Sequence, residues 1–325
     1  MIQSDNLDVL WTGLTYTGSS EFEYTRIDNG DSIPEISLGF NSKLNRCLLL
    51  ELPKVHNVDF QTSLKQNLTL SFFSDTGYII LELTDSSYTD LFNDLIISIY
   101  QRIYQLANVD EYSKIFIQMF YKWSEFFDDK KSEKLSQDIV KGLFGELFVL
   151  KTLIEDSSSS HLNDLLYSWK GPYDEGHDFV LDQKNIEVKT KEVSKLSVKI
   201  SSEYQLETEA DKALELLVLS VESNPVKGQS LRLLLADVKD MIINKLGDVS
   251  IVLTALSQKN ITVQNIYQYD NYRFEVLEKV TYNCNNAEFP KLTKSNTSKA
   301  IGSIQYTLHL SYLDDFILST KKHND

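Results

Sequence analysis

The segment Asp178-Phe-Val-Leu-Asp-Gln-Lys-Asn-Ile-Glu187-Val-Lys189 carries two acids and a lysine, Asp178, Glu187 and Lys189, on its two apolar runs at a spacing that could bring them together. Two short apolar runs flank the turn-forming residues 182–185, so the sequence predicts two antiparallel strands joined by a four-residue loop. Two carboxylates and a lysine on such a hairpin are the groups with which a metal-dependent nuclease would bind Mg²⁺ and orient a water.

The expected pairing brings these groups together. In this register Leu181 faces Ile186, and Asp178 faces Lys189. Side chains alternate between the faces of a strand, so Asp178, Glu187 and Lys189 share one face. The two carboxylates are then diagonal neighbours, roughly 7–8 Å apart at the backbone. Both could reach one Mg²⁺ at about 2.1 Å per oxygen ligand.

A solvated strand is the alternative, because any half-exposed strand alternates charged and apolar residues. Glu187-Val-Lys189 is, however, the only Glu-x-Lys in the chain. Asp237-Val-Lys239 lies in a segment with helical apolar spacing, and residues two apart on a helix point away from each other. The sequence favours a solvated turn at residues 128–131, and Asp182-Gln-Lys184 is the hairpin loop.

Two further residues are candidate partners of the hairpin. Glu146 lies in a predicted helix at 133–155 among largely apolar neighbours, where a buried carboxylate needs a cation. Gly142 and Gly145 indicate close approach of this helix to a sheet; the alternative is that Glu146 points to water at the rim. Gln205 follows a predicted strand at 197–201, and Ser202-x-x-Gln205 fits the capping box of a short helix, with a role in the site as the alternative.

Length and composition predict a globular chain of two units. The 325 residues are 42% hydrophobic and 24% charged, enough for a sizeable core. No apolar run approaches about 18 residues, and the first residues lack a basic and then apolar pattern, so we expect neither membrane insertion nor export. Cys47 and Cys284 lie far apart, which argues against a disulfide framework or a zinc site and favours the cytoplasm.

We expect an N-terminal α+β unit of unknown role at residues 1–108 and a second domain at 109–325 with a β-rich C-terminal extension. Apolar patterns and turn residues predict the elements. The strands are expected at 47–52, 68–73, 78–83, 214–221, 272–280, 289–293 and 304–310, and the remaining helices at 88–106, 110–127, 230–246 and 250–258.

The net charge of −15 argues against unaided binding of DNA, which usually requires a basic face. Lysines do gather near the hairpin and could form a basic lip, or could merely keep a strand soluble; they are Lys184, Lys189, Lys191, Lys195 and Lys199. If the protein cuts DNA, we therefore expect a partner subunit to hold much of it.

Several short motifs occur together in a fixed order, mainly over residues 140–310. They are Gly145-Glu146-Leu, Trp169-x-Gly-Pro172, His177-Asp178-Phe, Ile186-Glu187-Val-Lys189-Thr, Ile200-Ser-Ser, Gln205-Leu, Phe289-Pro-Lys-Leu, Gly302 and Tyr306. In this combination the chain resembles the PD-(D/E)XK motif proteins of bacterial restriction and defence gene neighbourhoods, within the wider PD-(D/E)XK nuclease superfamily.

The resemblance implies an α+β fold with a restriction-endonuclease-like αβββαβ core. It implies that Asp178, Glu187 and the Val188 carbonyl bind Mg²⁺, with Mn²⁺ as a substitute. Lys189 would position the water, Glu146 would act through a second metal or a water, and Gln205 would contact the site or DNA. His177 stands where the superfamily has its proline, which leaves the metal geometry untouched.

The implied activity is Mg²⁺-dependent hydrolysis of DNA phosphodiesters by a subunit of a restriction or anti-phage system with protein partners from the same operon. Self-association stays open. The alternative is a non-catalytic module that keeps the fold and serves complex assembly or DNA handling. Action on RNA is disfavoured by analogy alone.

Overall fold

The computed structural model describes residues 4–53, 56, 58, 60, 62–128 and 134–323. The chain packs as two compact units, Met1–Lys131 with Asp248–Ser250 and Thr262–Gln264, and Ser132–Gly247 with Ile251–Ile261 and Asn265–Asp325. Packing thus assigns residues 109–128 to the first unit, beyond the predicted boundary at 108. Most of the predicted turn at 128–131, and residue 133 of the predicted helix, lie outside the described residues.

In its described residues, the first unit is a six-stranded antiparallel sheet with three α-helices. The helices are α1 (Ser4–Gly13), α2 (Thr89–Ile103) and α3 (Val109–Ser124). The strands are β1 (Phe22–Arg26), β2 (Glu35–Asn41), β3 (Arg46–Glu51), β4 (Ser63–Leu64), β5 (Leu68–Phe73) and β6 (Tyr78–Leu83), in the sheet order β1-β2-β3-β6-β5-β4. The core is formed by apolar strands and by α2, which is buried on nearly every side. Strands β3, β5 and β6 and helices α2 and α3 confirm the predicted elements.

The second unit has eight described strands, in two sheets. They are β7 (Phe179–Val180), β8 (Lys184–Glu192), β9 (Ser197–Ile200), β10 (Ala213–Ser223), β11 (Gln229–Ser230), β12 (Arg273–Asn283), β13 (Tyr306–His309) and β14 (Ile317–Lys322). The main sheet is mixed and has the order β11-β12-β10-β8-β7, and β14 pairs with β12. Among the described strands only β8 and β10 pair in parallel, and β9 pairs with β13 in a separate ribbon.

Four helices accompany this sheet, and none of the described helices in either unit is both long and apolar enough to cross a membrane. The helices are α4 (Gln137–Asp156), α5 (Leu162–Ser168), α6 (Leu231–Asn244) and α7 (Val249–Gln258), which joins this unit from Ile251 onward. Helix α4 lies against α6 and against β8.

The α+β class is confirmed, with two local corrections. The short helix predicted from Ser202 is wrong, because residues 201–212 form turns and the Gln205 side chain does not cap a helix. The chain order is therefore α4-α5-β7-β8-β9-β10-β11-α6-α7-β12, with β10 directly after β9 rather than after a helix. The strand predicted at 289–293 is also wrong, since this segment is irregular.

The predicted hairpin exists, but its register is shifted by two residues. Phe179 pairs with Ile186, and the N–H of Leu181 donates to the Lys184 carbonyl at 2.9 Å, so the loop contains only residues 182–183. The strand starts early because Lys184 and Asn185 already pair with β10. A shift of two residues leaves every side chain on its predicted face, since strand side chains alternate with period two.

Helix α4 lies close against β8 at Gly145. A Cβ at this position would lie 1.8 Å from the Thr190 Oγ1 atom, whereas a Cβ at Gly142 would meet nothing within 4 Å. The close approach predicted from the two glycines is therefore real at Gly145 only. It sets the distance at which Glu146, the next residue, stands from the sheet.

The two glycines of α4 form a matched pair of stability tests. We expect Gly145→Ala to destabilise the protein by roughly 1–3 kcal/mol, because the helix must move away from Thr190. Gly142→Ala should instead stabilise it by up to about 1 kcal/mol through helix propensity. Urea unfolding of both variants measures the difference, and equal effects of the two substitutions would contradict the close packing at Gly145.

Candidate active site

Two carboxylates of the hairpin face each other across the strands. The register of β7 and β8, carried one residue beyond Phe179, sets Asp178 directly opposite Glu187 rather than diagonal to it. Directly opposed residues share a face, with Cβ atoms about 4.5–5.5 Å apart. The Asp178 Oδ2 atom accepts the backbone N–H of Val188 at 2.7 Å, which fixes one oxygen and leaves the other for the site.

Helix α4 supplies a third carboxylate. The Glu146 Oε2 atom accepts the indole N–H of Trp169 at 2.9 Å. A Cβ on Gly171 would lie 2.1 Å from this oxygen and 2.7 Å from the Asp178 Oδ1 atom. Oxygens from two carboxylates therefore converge over the bare backbone of Gly171, and Glu146 faces the site instead of the solvent.

Lys189 places its ammonium group among these acids. Its Nζ atom lies 2.7 Å from the Glu187 Oε1 atom and donates to the Gln205 Oε1 atom at 3.2 Å. The same amide oxygen accepts the backbone N–H of Ser201 at 2.7 Å. Gln205 thus joins the site through Lys189, and the structure brings together all four of its predicted charged residues.

The electrostatics of the cluster are those of crowded acids. Burial raises the pKa of Glu146 and of Glu187 well above the usual glutamate value, and the charge of Asp178 raises both pKa values further. Burial also raises the pKa of Asp178, against the opposing effect of Lys189. Burial disfavours the ammonium form of Lys189, but the carboxylates, Glu187 first, outweigh it and raise the pKa of this lysine. Lys189 is therefore a proton-bearing donor at neutral pH.

The cluster fits a hard divalent cation. Within the described part of the chain, no three His, Cys, Asp or Glu side chains stand close enough to hold an ion by themselves. Mg²⁺ does not require such a cage, because it is usually bound through one or two carboxylates and keeps several waters. Three carboxylates around one contacting ammonium leave an excess of negative charge, which such an ion would neutralise.

Comparison with known proteins agrees with this geometry. A family described as "Putative PD-(D/E)XK family member, (DUF4420)" matches residues 7–311. The chain belongs to this family. No curated protein and no solved structure gives a significant match. Because the match begins at residue 7, it covers the N-terminal unit as well as the nuclease-like domain that carries the acids.

The PD-(D/E)XK proline is replaced here by a residue with its own structural task. His177 is buried, and its Nδ1–H donates to the Gln205 carbonyl at 3.2 Å. Burial lowers the pKa of His177, which keeps the ring neutral. The contact ties the turn at 201–205 to the start of the hairpin, so that the Gln205 side chain reaches Lys189.

Sequence reasoning missed the roles of three site residues. Trp169 and Gly171 occur in the Trp169-x-Gly-Pro172 motif, but neither had been linked to Glu146. Lys259 follows α7, forms an ion pair with Asp174, and its charge acts on Glu146 and Asp178. A Trp-x-Gly motif beside a candidate acid is a usable signal, whereas nothing in the local sequence marks Lys259.

Two of the five lysines of the predicted basic lip are paired with acids. Lys184 forms an ion pair with Glu215 at 2.9 Å, and Lys189 contacts Glu187 inside the site. The Lys191 ammonium lies 3.5 Å from the backbone carbonyl oxygen of Glu192, and Lys195 and Lys199 are exposed. The two lysines nearest the acids are therefore balanced within a chain of net charge −15.

The crowded acids predict a pH-dependent stability. Because the pKa of Glu146 is higher in the folded protein than in the unfolded chain, the folded protein binds more protons, and stability falls as the pH rises through this interval. Glu146→Gln should remove this loss of stability at high pH while keeping the hydrogen bond from Trp169. We expect the Tm of the metal-free variant to exceed that of the unmodified protein by about 2–4 °C per kcal/mol recovered.

Thermal unfolding in a chelator, at about pH 8 and near the usual glutamate pKa of 4.5, measures this difference. The Tm of Glu146→Gln should exceed that of the unmodified protein by a large margin at the higher pH and by a smaller one at the lower pH. Glu155→Gln, at an exposed position of the same helix, is the control and should change little. A Glu146→Gln variant that is less stable than the unmodified protein at the higher pH would contradict the crowding.

Proposed function

We propose that the protein is a Mg²⁺-dependent DNA endonuclease. The observation that supports this most directly is the convergence of Glu146, Asp178, Glu187 and Lys189 at Gly171 and the β8 strand. Hard oxygen ligands beside a charged ammonium donor suit hydrolysis of a phosphodiester, in which negative charge develops on phosphate oxygens.

Asp178 and Glu187 are the proposed metal ligands, and the Val188 carbonyl is a third. The Val188 N–H holds one oxygen of Asp178 and so orients the other towards Glu146. A bound Mg²⁺, or Mn²⁺ in its place, would polarise the phosphate and lower the pKa of a bound water. Glu146 is proposed to act through a second ion or a water, because its Trp169 contact keeps one oxygen directed at the site.

Lys189 is proposed to act as a donor and not as a base. Its raised pKa keeps the proton on Nζ, so it can orient a water or stabilise charge on the phosphate. Gln205 is a positioning residue here: its amide oxygen is held by the Ser201 N–H and in turn holds the ammonium. This arrangement fixes the lysine before any substrate arrives.

We further propose that the protein works in the bacterial cytoplasm with partner proteins in a restriction or anti-phage system. The support for partners is electrostatic, because the chain carries a net charge of −15 and Lys184 and Lys189 of the hairpin are paired with acids. The defence setting follows from the family resemblance. The rival, a non-catalytic module for assembly or DNA handling, predicts binding without any hydrolysis.

Cleavage of DNA tests the proposal. With Mg²⁺ and unmodified plasmid, alone and with the products of neighbouring genes, we expect strand breaks that Glu187→Gln and Lys189→Met each reduce by about 10²–10³-fold. Lys191→Met, which removes the next lysine on the same face of β8, is the matched control and should cleave normally. Equal cleavage by all three variants would exclude these residues from catalysis.

Metal binding gives an independent measurement. Saturation of the site should raise the Tm, since a ligand at about 100 times its Kd stabilises the folded protein by about 2.7 kcal/mol. We expect Mg²⁺ and Mn²⁺ to have this effect on the unmodified protein and Asp178→Asn to lose most of it. An unchanged metal response in Asp178→Asn would place the ion elsewhere.

A further inference from the structure

Two exposed tyrosines border the candidate active site, each with a lysine beside its ring. Tyr173 is 41% exposed, and the Lys170 ammonium lies 5.9 Å from its ring centroid. Tyr204 is 47% exposed, and the Lys294 ammonium lies 5.6 Å from its ring centroid. Neither ring is part of the apolar core, so packing of the fold does not explain why a tyrosine stands at either position.

Tyr173 lies in a turn that is anchored beside the carboxylates. It lies two residues after Gly171, the backbone position at which oxygens of Glu146 and Asp178 converge. The N–H groups of Lys170 and Gly171 both donate to the Asp178 carbonyl, at 2.7 and 3.1 Å. The short 3₁₀ turn that carries Tyr173 is thereby fixed to the edge of the site.

Tyr204 lies at the same edge of the site, in the turn at residues 201–205. It precedes Gln205, whose side chain holds Lys189, and its Cβ lies 3.7 Å from where a Cβ of Gly176 would stand. Gly176 belongs to the loop that follows Tyr173. The two tyrosines are therefore attached to one continuous border around the acids.

The charges of this border do not favour duplex DNA. The Lys170 Nζ atom lies 3.7 Å from the Glu175 Oε1 atom, and Lys259 forms an ion pair with Asp174. Affinity for a duplex comes mainly from neutralised phosphates, for which these paired lysines offer little. Stacking of bases on aromatic rings needs no such surplus, but it requires a base face that is not already stacked on its neighbours.

We propose that this border binds an unpaired DNA strand, with Tyr173 and Tyr204 each stacking a base and Lys294, beside the Tyr204 ring, contacting a neighbouring phosphate. The inference rests on the proposed function, because it names the substrate class of the same site. It predicts that the protein prefers flaps, displaced strands or melted DNA over intact duplex.

Fluorescence anisotropy with labelled 20-nucleotide DNA, as a single strand and as the matched duplex, tests the inference. The protein carries Glu187→Gln and is kept in Mg²⁺, so that binding is read without cleavage. We expect the single strand to bind at least about tenfold more tightly than the duplex. Tyr173→Leu and Tyr204→Leu should each weaken single-strand binding about tenfold, the size of one lost stacking contact.

Two controls isolate the rings. Tyr173→Phe and Tyr204→Phe keep the stacking face and should bind within about twofold of the parent. Tyr121→Leu removes a similarly exposed tyrosine, at 49%, from the first unit and should leave binding unchanged. Leucine variants that bind the single strand as tightly as the parent would overturn the inference.

The remaining outcomes separate the substrate class from the nuclease activity. Tighter binding of the duplex, or cleavage of duplex alone by the unmodified protein, would overturn the inference and leave the nuclease proposal standing. Tighter binding of a single-stranded RNA of the same sequence would also overturn it, because it would assign the tyrosines to RNA. Tyrosine-dependent binding of single-stranded DNA supports it even if cleavage requires a partner.

Discussion

The crowding of three carboxylates around one ammonium group is the constraint on which the second unit depends. Like charges at this distance raise each other's pKa, and burial raises it further, so the cluster costs stability in the metal-free protein. The surrounding groups limit that cost. Trp169 donates to Glu146, the Val188 N–H donates to Asp178, and Lys189 contacts Glu187.

The backbone around the cluster is built to permit this crowding. Gly145 lets α4 lie against Thr190, so that Glu146 reaches the strand face, and Gly171 leaves room for oxygens of two acids. Neither position accepts a side chain without moving a charged group or a helix. Such local losses of stability are expected where a site must be preorganised to bind an ion and a phosphate.

Local sequence patterns could predict which strand face each site residue occupies, but not which residues of β7 and β8 pair. The faces of Asp178, Glu187 and Lys189 follow from alternation, which survives a shift of two residues. The true register depends on β10, a strand about 30 residues further on, because its pairing with Lys184 and Asn185 extends β8. Gln205 has a helix-capping pattern, yet its side chain instead contacts Lys189, 16 residues earlier, and the N–H of Ser201.

The partners of the charged residues were still harder to predict. Trp169 and Glu146 are 23 residues apart, and Lys259 and Asp174 are 85 apart, so no spacing rule connects them. By contrast, α2 and α6 could be predicted closely, since their apolar residues recur at helical spacing within a single segment. Predictability thus falls with the number of separate segments on which a contact depends.

The distribution of lysines links this architecture to DNA binding. A chain with a net charge of −15 can bind a polyanion only where positive charge is left uncompensated, yet Lys184 and Lys189 balance acids of the fold and the site. Each lysine used as an internal counter-charge is one fewer available to a phosphate. Under the proposed function, affinity would then rest on a bound cation, on exposed rings with Lys294 beside them, or on a partner protein, and the first two would act only next to the site itself. Such a site would select the DNA structure to be cut, while a partner would determine where on the DNA the protein is placed.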